Sequence, residues 1–222
     1  MKNVLIVGAS RGIGLEFVRQ YRADGARVTG TARSDDGLAR LQALGAQALR
    51  LDVASAASAS GLARPIDGEA FEGVVINAGV YGPRTQGLQT PTADEFDAVM
   101  HTNVLGAMRV LPQLDGALAP GAKLAVISSG MGSIGQRGNA SGWLYRASKA
   151  ALNSVLKDAS LVLAGRAICI AFHPGWVRTD MGGAGADLDV KDAVADMRRT
   201  LAGLGPDDNG TFRNHDGSVI PW

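Results

Sequence analysis

Tyr145 and Lys149 stand four residues apart at the start of a strongly helical stretch. Residues i and i+4 share a helix face, so a phenol and an ammonium group lie side by side there. A free tyrosine has a pKa of about 10 and is almost wholly protonated at neutral pH. At about 5 Å, with an effective dielectric of about 20, one lysine charge is worth on the order of 3 kcal/mol, or about two pKa units. The positive end of the helix, and any cation bound beside the ring, would add to that effect, while desolvation would oppose it. A phenol tuned this way exchanges protons near physiological pH. The plain alternative, a core tyrosine beside a surface lysine, is the commoner source of a bare pair with this spacing.

A second cluster has the makings of a nucleotide site. Gly8-Ala-Ser-Arg-Gly-Ile-Gly14 follows the first apolar run and opens the first helical pattern. Glycines there permit a tight turn and a close approach, and free N–H groups at a helix start suit phosphate. Gly8, Ser10, Arg11, Gly12, Ile13 and Gly14 are therefore candidate cofactor contacts, although a merely structural turn would read the same way. Arg33 follows the second strand, where dinucleotide folds select the adenosine ribose, and Thr31-Ala32-Arg33-Ser34 has no acid in line. Guanidinium groups at Arg11 and Arg33 suit the 2′-phosphate of NADP(H) by bidentate geometry, which favours that cofactor. Asp35 and Asp36 lie close by and keep NAD(H) possible.

Short apolar runs alternating with helical patterns must position these groups. Strands are expected at residues 3–7, 27–31, 46–51, 73–76, 123–128 and 167–172, each bounded by Gly, Asp, Asn or Pro as buried parallel strands are. Helices are expected at residues 13–24, 36–44, 92–111, 144–164 and 190–204, and residues 54–68 form at best a short one. Such alternation predicts a parallel sheet covered on both faces. The end of the chain reads as a strand at Thr211–Asn214, a hairpin turn at Asp216-Gly217, and an apolar arm that Pro221 confines to an edge. Trp222 is expected to pack down.

Composition narrows the classes. A chain of 222 residues without linker or repeat reads as a single domain, and its net charge of +1 gives no global attraction to nucleic acid or acidic membranes. Cys169 is the lone cysteine, so no internal disulfide forms. His101, His173 and His215 have no partner at metal-ligand spacing, so no metal is expected, and no nucleophile elbow surrounds Ser129 or Ser148. The most apolar later run, residues 161–172, is broken by Gly165 and Arg166. A cytoplasmic protein is the expectation. Glycine is the outlier: thirty residues, nearly twice the usual roughly 7%, mean many turns or backbone that closely approaches a ligand.

Gly8–Gly14, Asn77-Ala78-Gly79, Asn103, Ser129, Tyr145, Lys149 and Pro174-Gly175-x-x-x-Thr179 occur in the order of the short-chain dehydrogenase/reductase family, which the chain resembles over almost its whole length. The stretch from His173 to Met181 and the closing Asp216-Gly217 and Ile220-Pro221-Trp222 resemble the C-factor/sniffer-type carbonyl reductase branch. The resemblance implies a Rossmann-type doubly wound α/β fold of seven strands in the order 3-2-1-4-5-6-7. It also implies hydride transfer between a nicotinamide and a carbonyl or secondary alcohol. In that reading Tyr145 is the general acid or base, and Lys149 lowers its pKa and bonds the nicotinamide ribose. Ser129, second of the Ser-Ser pair, polarises the carbonyl, and Asn103 holds a water linking Lys149 to solvent.

The resemblance further assigns Asp52 and Val53 to the adenine and Asn77-Ala78-Gly79 to the adenine-ribose side. Pro174, Gly175, Val177 and Thr179 fall to the carboxamide and pyrophosphate. Tyr145 follows Ser129 by sixteen positions, more than in many family members, which suggests a loop beside the substrate. Residues after Thr179 form either a mobile lid or an irregular turn. Tyr81, Met131, Trp143, Trp176 and Met181 are candidates for an apolar substrate pocket or for packing. A homodimer or homotetramer is expected, with contacts through helices 92–111 and 144–164. The rival reading is a dinucleotide-binding sensor or signalling protein without turnover. A sugar-nucleotide epimerase is disfavoured by the short chain.

Overall fold

The computed structural model describes residues 1–222. Seven strands make one parallel sheet: β1 (Asn3–Val7), β2 (Arg27–Ala32), β3 (Gln47–Arg50), β4 (Phe71–Ile76), β5 (Leu118–Ile127), β6 (Ala167–His173) and β7 (Thr211–Asn214). Their order is β3-β2-β1-β4-β5-β6-β7, as the resemblance implied. The chain reverses direction across the sheet between β1 and β4, which creates the crevice where α/β sheets bind ligands. Strands β1 and β4 pair through Val4 with Gly73 to Val7 with Ile76, so both end level at that crevice.

Every residue of β1 is buried, because the sheet is covered on both faces. Alternation along the strand splits its side chains between two cores. Val4 and Ile6 pack with Phe17, Leu41 and Met197 of helices α1 (Gly12–Ala23), α2 (Asp35–Ala43) and α8 (Val190–Gly203). Leu5 and Val7 face the other core, built with α3 (Ala56–Ser60), α4 (Ala63–Ile66), α6 (Gly106–Val110) and α7 (Trp143–Val162). No helix is long and apolar enough to cross a membrane.

Four departures from the sequence reading have physical reasons. Strand β5 starts at Leu118, five residues earlier than the expected 123, and runs through Pro120-Gly121, which reads as a turn. Gly121 takes φ +72° there, and the β4–β5 register shifts between Phe71 and Gly73, so the pair accommodates an irregularity instead of stopping. The helix expected over 92–111 is α5 (Ala93–Met100), then a π-helical turn at His101–Leu105, then α6. Thr92 and Glu95 start α5 with a reciprocal capping box. Residues 54–68 hold two short helices, α3 and α4. The terminal hairpin is reduced to one antiparallel bridge between Arg213 and Val219, while Trp222 stacks on Phe212 at 5.5 Å.

Candidate active site

The ends of β1, β4, β5 and β6 converge on a cavity of about 370 Å³. The glycine loop forms one wall. Gly8 has φ +81°, and a Cβ there would stand 2.7 Å from the Ala78 backbone. A Cβ on Gly14 would stand 2.3 Å from Gly8 O and 2.7 Å from Asn77 Nδ2. Asn77 Nδ2 donates to Gly8 O at 2.7 Å, and Gly8 N donates to Thr31 Oγ1 at 3.0 Å. Asn77 thus fastens the end of β4 to the loop after β1. Helix α1 opens at Gly12 with no side-chain cap from Arg11 and no acid in its first turn, so its positive end is uncompensated.

Ser10, Arg11, Gly12 and Ile13 line the cavity, and so do Arg33, Asp52 and Val53. Arg11 pairs with Asp180 across the cavity mouth at 3.0 Å. Asp35, one of the two carboxylates that kept a ribose hydroxyl in play, is bound instead by Arg50, whose guanidinium also donates to Arg33 O at 2.9 Å. Neither Asp35 nor Asp36 reaches the cavity, and Arg33 carries no ion pair. Asp52 lines the cavity while its Oδ1 accepts from Ala54 N at 3.0 Å, so the binding and turn-capping readings are both occupied by one side chain.

The opposite wall carries Tyr145 and Lys149, from the first turns of α7, with Asn77, Ala78 and Gly79 between. Helix α7 starts after Gly142, whose φ of +64° lets the incoming loop turn sharply into the helix. Tyr145 is 7% exposed and Lys149 3%. Lys149 Nζ lies 5.6 Å from the centre of the Tyr145 ring and donates to Ile127 O at 2.8 Å. Burial pushes the Tyr145 phenol up to about 12, against a hydrogen bond from Ser129 that lowers it, with Tyr81 adding a smaller rise. Desolvation, the effect set against the lysine in the sequence, is the largest cause, and burial pulls Lys149 itself down to about 8.

The two serines at the end of β5 diverge. Ser128 donates to Asn153 Oδ1 at 2.6 Å and is committed to packing β5 against α7. Ser129 is the one at the Tyr145 phenol, and its Oγ also accepts from Met131 N at 3.2 Å. Asn103 sits in the π turn, 1% exposed, with three hydrogen bonds to its carboxamide. Its Oδ1 accepts from Val80 N at 2.8 Å, and its Nδ2 donates to Val80 O at 2.8 Å and Ser148 Oγ at 2.9 Å. Asn103 therefore clamps the segment leaving Gly79 onto the helix that carries Lys149.

Pro174 and Thr179 line the cavity, whereas Gly14, Asn103, Ser129, Gly175 and Val177 do not. Gly175, at φ +84°, packs against Leu188 and His215. Val177 is buried; the bridge beside it uses Trp176 O and Arg178 N and leaves the Val177 N–H free. The segment after Thr179 is fastened: Trp176 Nε1 donates to Gly182 O at 2.9 Å and Arg178 donates to Ala186 O at 3.0 Å. A Cβ on Gly182 would meet Val177 O at 2.1 Å. These contacts favour the irregular turn over the lid.

Sequence reasoning missed how Tyr81 and Arg84 are used. The Tyr81 ring stacks on Tyr145 at 4.5 Å, and the Arg84 guanidinium lies 5.1 Å from the centre of the Tyr81 ring. Both follow Asn77-Ala78-Gly79, and that position was the only available signal. Of the other pocket candidates, Met181 lines the cavity and Met131 abuts Gly142, while Trp143 Nε1 is buried without a partner and Trp176 is exposed.

His173 ends β6 against Gly130, its Nδ1 buried without a partner. Burial, helped by His215, lowers its pKa to about 4 from 6.5. A folded-state pKa depressed below the unfolded one means that only the unfolded chain takes up this proton between pH 6.5 and 4. His173 therefore contributes nothing above pH 6.5 and costs up to about 3 kcal/mol by pH 4. In His173→Gln, the decline of denaturant-melt stability from pH 6.5 to 4 should be shallower by about that amount; an unchanged decline would contradict the assignment.

Residues 2–187 match the short chain dehydrogenase family. The chain belongs to that family. The dehydrogenase is similar in sequence to C-signal of Myxococcus xanthus, 38% identical over 123 residues that cover 54% of this chain and 74% of the relative. Among solved structures it is similar to a short-chain dehydrogenase/reductase from Burkholderia multivorans with bound NADP, at a TM-score of 0.90 and 31% identity over 99% of both chains. It is likewise similar to the carbonyl reductase Sniffer of D. melanogaster, at a TM-score of 0.87 and 29% identity over the whole of both chains. The dehydrogenase is an NAD(P)-dependent oxidoreductase, and its cavity fits a dinucleotide on its own evidence. Gly8 and Gly14 leave backbone close-packed where any Cβ would clash, and an uncapped helix start meets basic residues.

Proposed function

We propose that the protein is an NADP-dependent carbonyl reductase, with residues 1–222 forming one dinucleotide-binding domain. One observation carries the reading: Tyr145, with Ser129 at its phenol and Lys149 at its ring, stands in one cavity with the glycine loop and Arg33. The glycine loop and the start of α1 hold the pyrophosphate, and Arg33 with Arg11 holds the 2′-phosphate. Asp52 and Val53 take the adenine, Asn77-Ala78-Gly79 the ribose beside it, and Lys149 the nicotinamide ribose. Pro174, Gly175 and Thr179 shape the carboxamide end, where the free N–H of Val177 is a donor. The NADP-bound Burkholderia relative supports this choice of cofactor. When bound, the dinucleotide supplies the hydride.

The chain itself supplies orientation and a proton. Ser129 donates to the carbonyl oxygen and polarises it. Tyr145, neutral over the whole physiological range at a pKa of about 12, delivers its proton to that oxygen as negative charge develops there. A buried phenol held in its acid form suits reduction better than oxidation. The Lys149 ammonium, charged below about pH 8, steadies the phenolate left behind. The Asn103 Oδ1 accepts only from Val80 N and keeps a second lone pair for a water that resupplies the proton. Exposed Phe96 and Met108 support a homo-oligomer built on α5 and α6, and the free Cys169 accords with a cytoplasmic location.

Loss of NADPH absorbance with a panel of aldehydes and ketones tests the activity. Similarity to C-signal favours a second reading, a dinucleotide sensor; binding of NADPH with no turnover across the panel would support it. Cofactor choice is tested separately with Arg33→Asp. NADPH should bind about 50-fold more weakly and NADH no more than about threefold, since only the 2′-phosphate meets the new carboxylate. Equal losses for both would show that Arg33 does not read the phosphate.

A further inference from the structure

Two chain segments that border the cleft hold no acidic residue, and Asp180, the exposed carboxylate beside Met181, is paired with Arg11. No Asp or Glu occurs between Asp115 and Asp158, a stretch that holds Ser129, Arg137, Tyr145, Arg146 and Lys149, and none occurs between Glu72 and Asp94, which holds Tyr81 and Arg84. With 21 acids in 222 residues, a gap of that length is not what even spacing gives. Many of the arginines elsewhere are neutralised. Arg11, Arg27, Arg50, Arg166, Arg198 and Arg213 all pair with carboxylates. Arg146, 6% exposed, has only Ser141 O at 2.8 Å and Asn139 Oδ1 at 2.5 Å. Arg84 has only Met181 O at 3.1 Å and the face of Tyr81, which itself lies on Tyr145. An unpaired guanidinium one ring away from the phenol offers an anion a partner close to the reacting atoms.

We propose that the preferred substrates are carbonyl compounds that carry a carboxylate or similar anionic group, and that Arg84 is the residue that selects them. The inference rests on the carbonyl-reductase reading for the reaction but not for the binding. The anionic group displaces solvent from the Arg84 guanidinium, which is held in place by the Tyr81 face and the Met181 carbonyl, while the carbonyl carbon faces Tyr145 and Ser129. Arg146 and Arg137 contribute field rather than contact.

The test compares 4-carboxybenzaldehyde with its methyl ester as NADPH-linked substrates, two molecules of like shape that differ in charge. The acid should have a kcat/KM about tenfold above the ester at low salt, expressed mainly in KM, with the ratio shrinking in 0.5 M NaCl. Arg84→Gln should bring the ratio close to one, and Arg84→Lys should restore part of it through charge without the planar fork. The pH profile of kcat should stay put in both variants. A shifted profile would mean that the arginines serve the acidity of Tyr145 instead. Calorimetric binding of 4-(hydroxymethyl)benzoate against benzyl alcohol, with NADP present, gives a readout free of turnover. Arg84-dependent binding of the benzoate without reduction of either aldehyde would keep the anion site and sink the reductase reading. An ester preference, or a ratio indifferent to Arg84, would overturn the anion site and leave the reductase reading intact.

Discussion

Tyr145→Phe should reduce carbonyl turnover by about three orders of magnitude while NADPH binds within about threefold of the wild type. The substitution removes one hydroxyl and keeps the ring that stacks on Tyr81 at 4.5 Å, so the site keeps its shape. What disappears is the proton donor. Positioned acid–base catalysis contributes typically 10²- to 10⁴-fold, and here the hydroxyl also takes part in the contact with Ser129 that sets the carbonyl's place. Stability should hold or rise slightly, since a buried hydroxyl is replaced by a hydrogen. Fluorescence titration with NADPH and steady-state rates on the same preparation separate binding from chemistry. A variant turning over at the wild-type rate would eliminate Tyr145 as the donor; a variant that no longer binds NADPH would show that the hydroxyl is structural.

Gly14→Ala should be the second large effect, acting on the opposite wall of the cavity. The new methyl would stand 2.3 Å from Gly8 O and 2.7 Å from Asn77 Nδ2, and neither is the loose end of a flexible chain. Gly8 O accepts the Asn77 bond that joins the β1 loop to β4, so relief of the clash breaks that bond or lifts the start of α1. Overpacking of this kind costs about 1–3 kcal/mol, and displacement of the helix start removes the N–H groups meant for phosphate. NADPH affinity should fall at least about 100-fold, well beyond the loss of thermal stability. Gly138→Ala, in the loop where a Cβ meets nothing within 4 Å, is the matched control and should change neither. Equal and small effects at the two glycines would mean that the loop does not cradle the cofactor.

Which parts of this arrangement were legible in the sequence follows from the range of the interactions. The pairing of Tyr145 with Lys149 depends on helix spacing alone, and the glycine loop on a strand–turn–helix order, so both could be read along the chain. The choice of Ser129 over Ser128 came from its place as second of the Ser-Ser pair, by resemblance to the family. What was not legible lies between distant segments. That Asp35 belongs to Arg50, and that Arg84 lies over Tyr81, depends on which loops the sheet order brings together. The weight of desolvation at Tyr145 was hidden for the same reason: it depends on packing from Tyr81 and other distant segments, whereas the lysine effect follows from spacing. The early start of β5 was hidden by Pro120-Gly121, which are turn residues by local preference and fall in the irregularity between the Phe71–Leu118 and Gly73–Lys123 pairs.

The π turn at His101–Leu105 bears on any attempt to make this protein more robust. It amounts to one surplus residue wound into an otherwise ordinary helix, and it places the Asn103 carboxamide against both polar groups of Val80. A consensus or design procedure scoring regular geometry would favour deleting that residue, and the shortened helix would gain good hydrogen bonds. Everything downstream would then rotate by about 100°, one residue's worth of helix. Gly106, which now packs against Val53, would leave that contact, and Asn103 would lose Val80. Stabilisation and activity would thus pull in opposite directions at a single codon, and one-residue deletion variants through 101–105 are where that conflict can be scored.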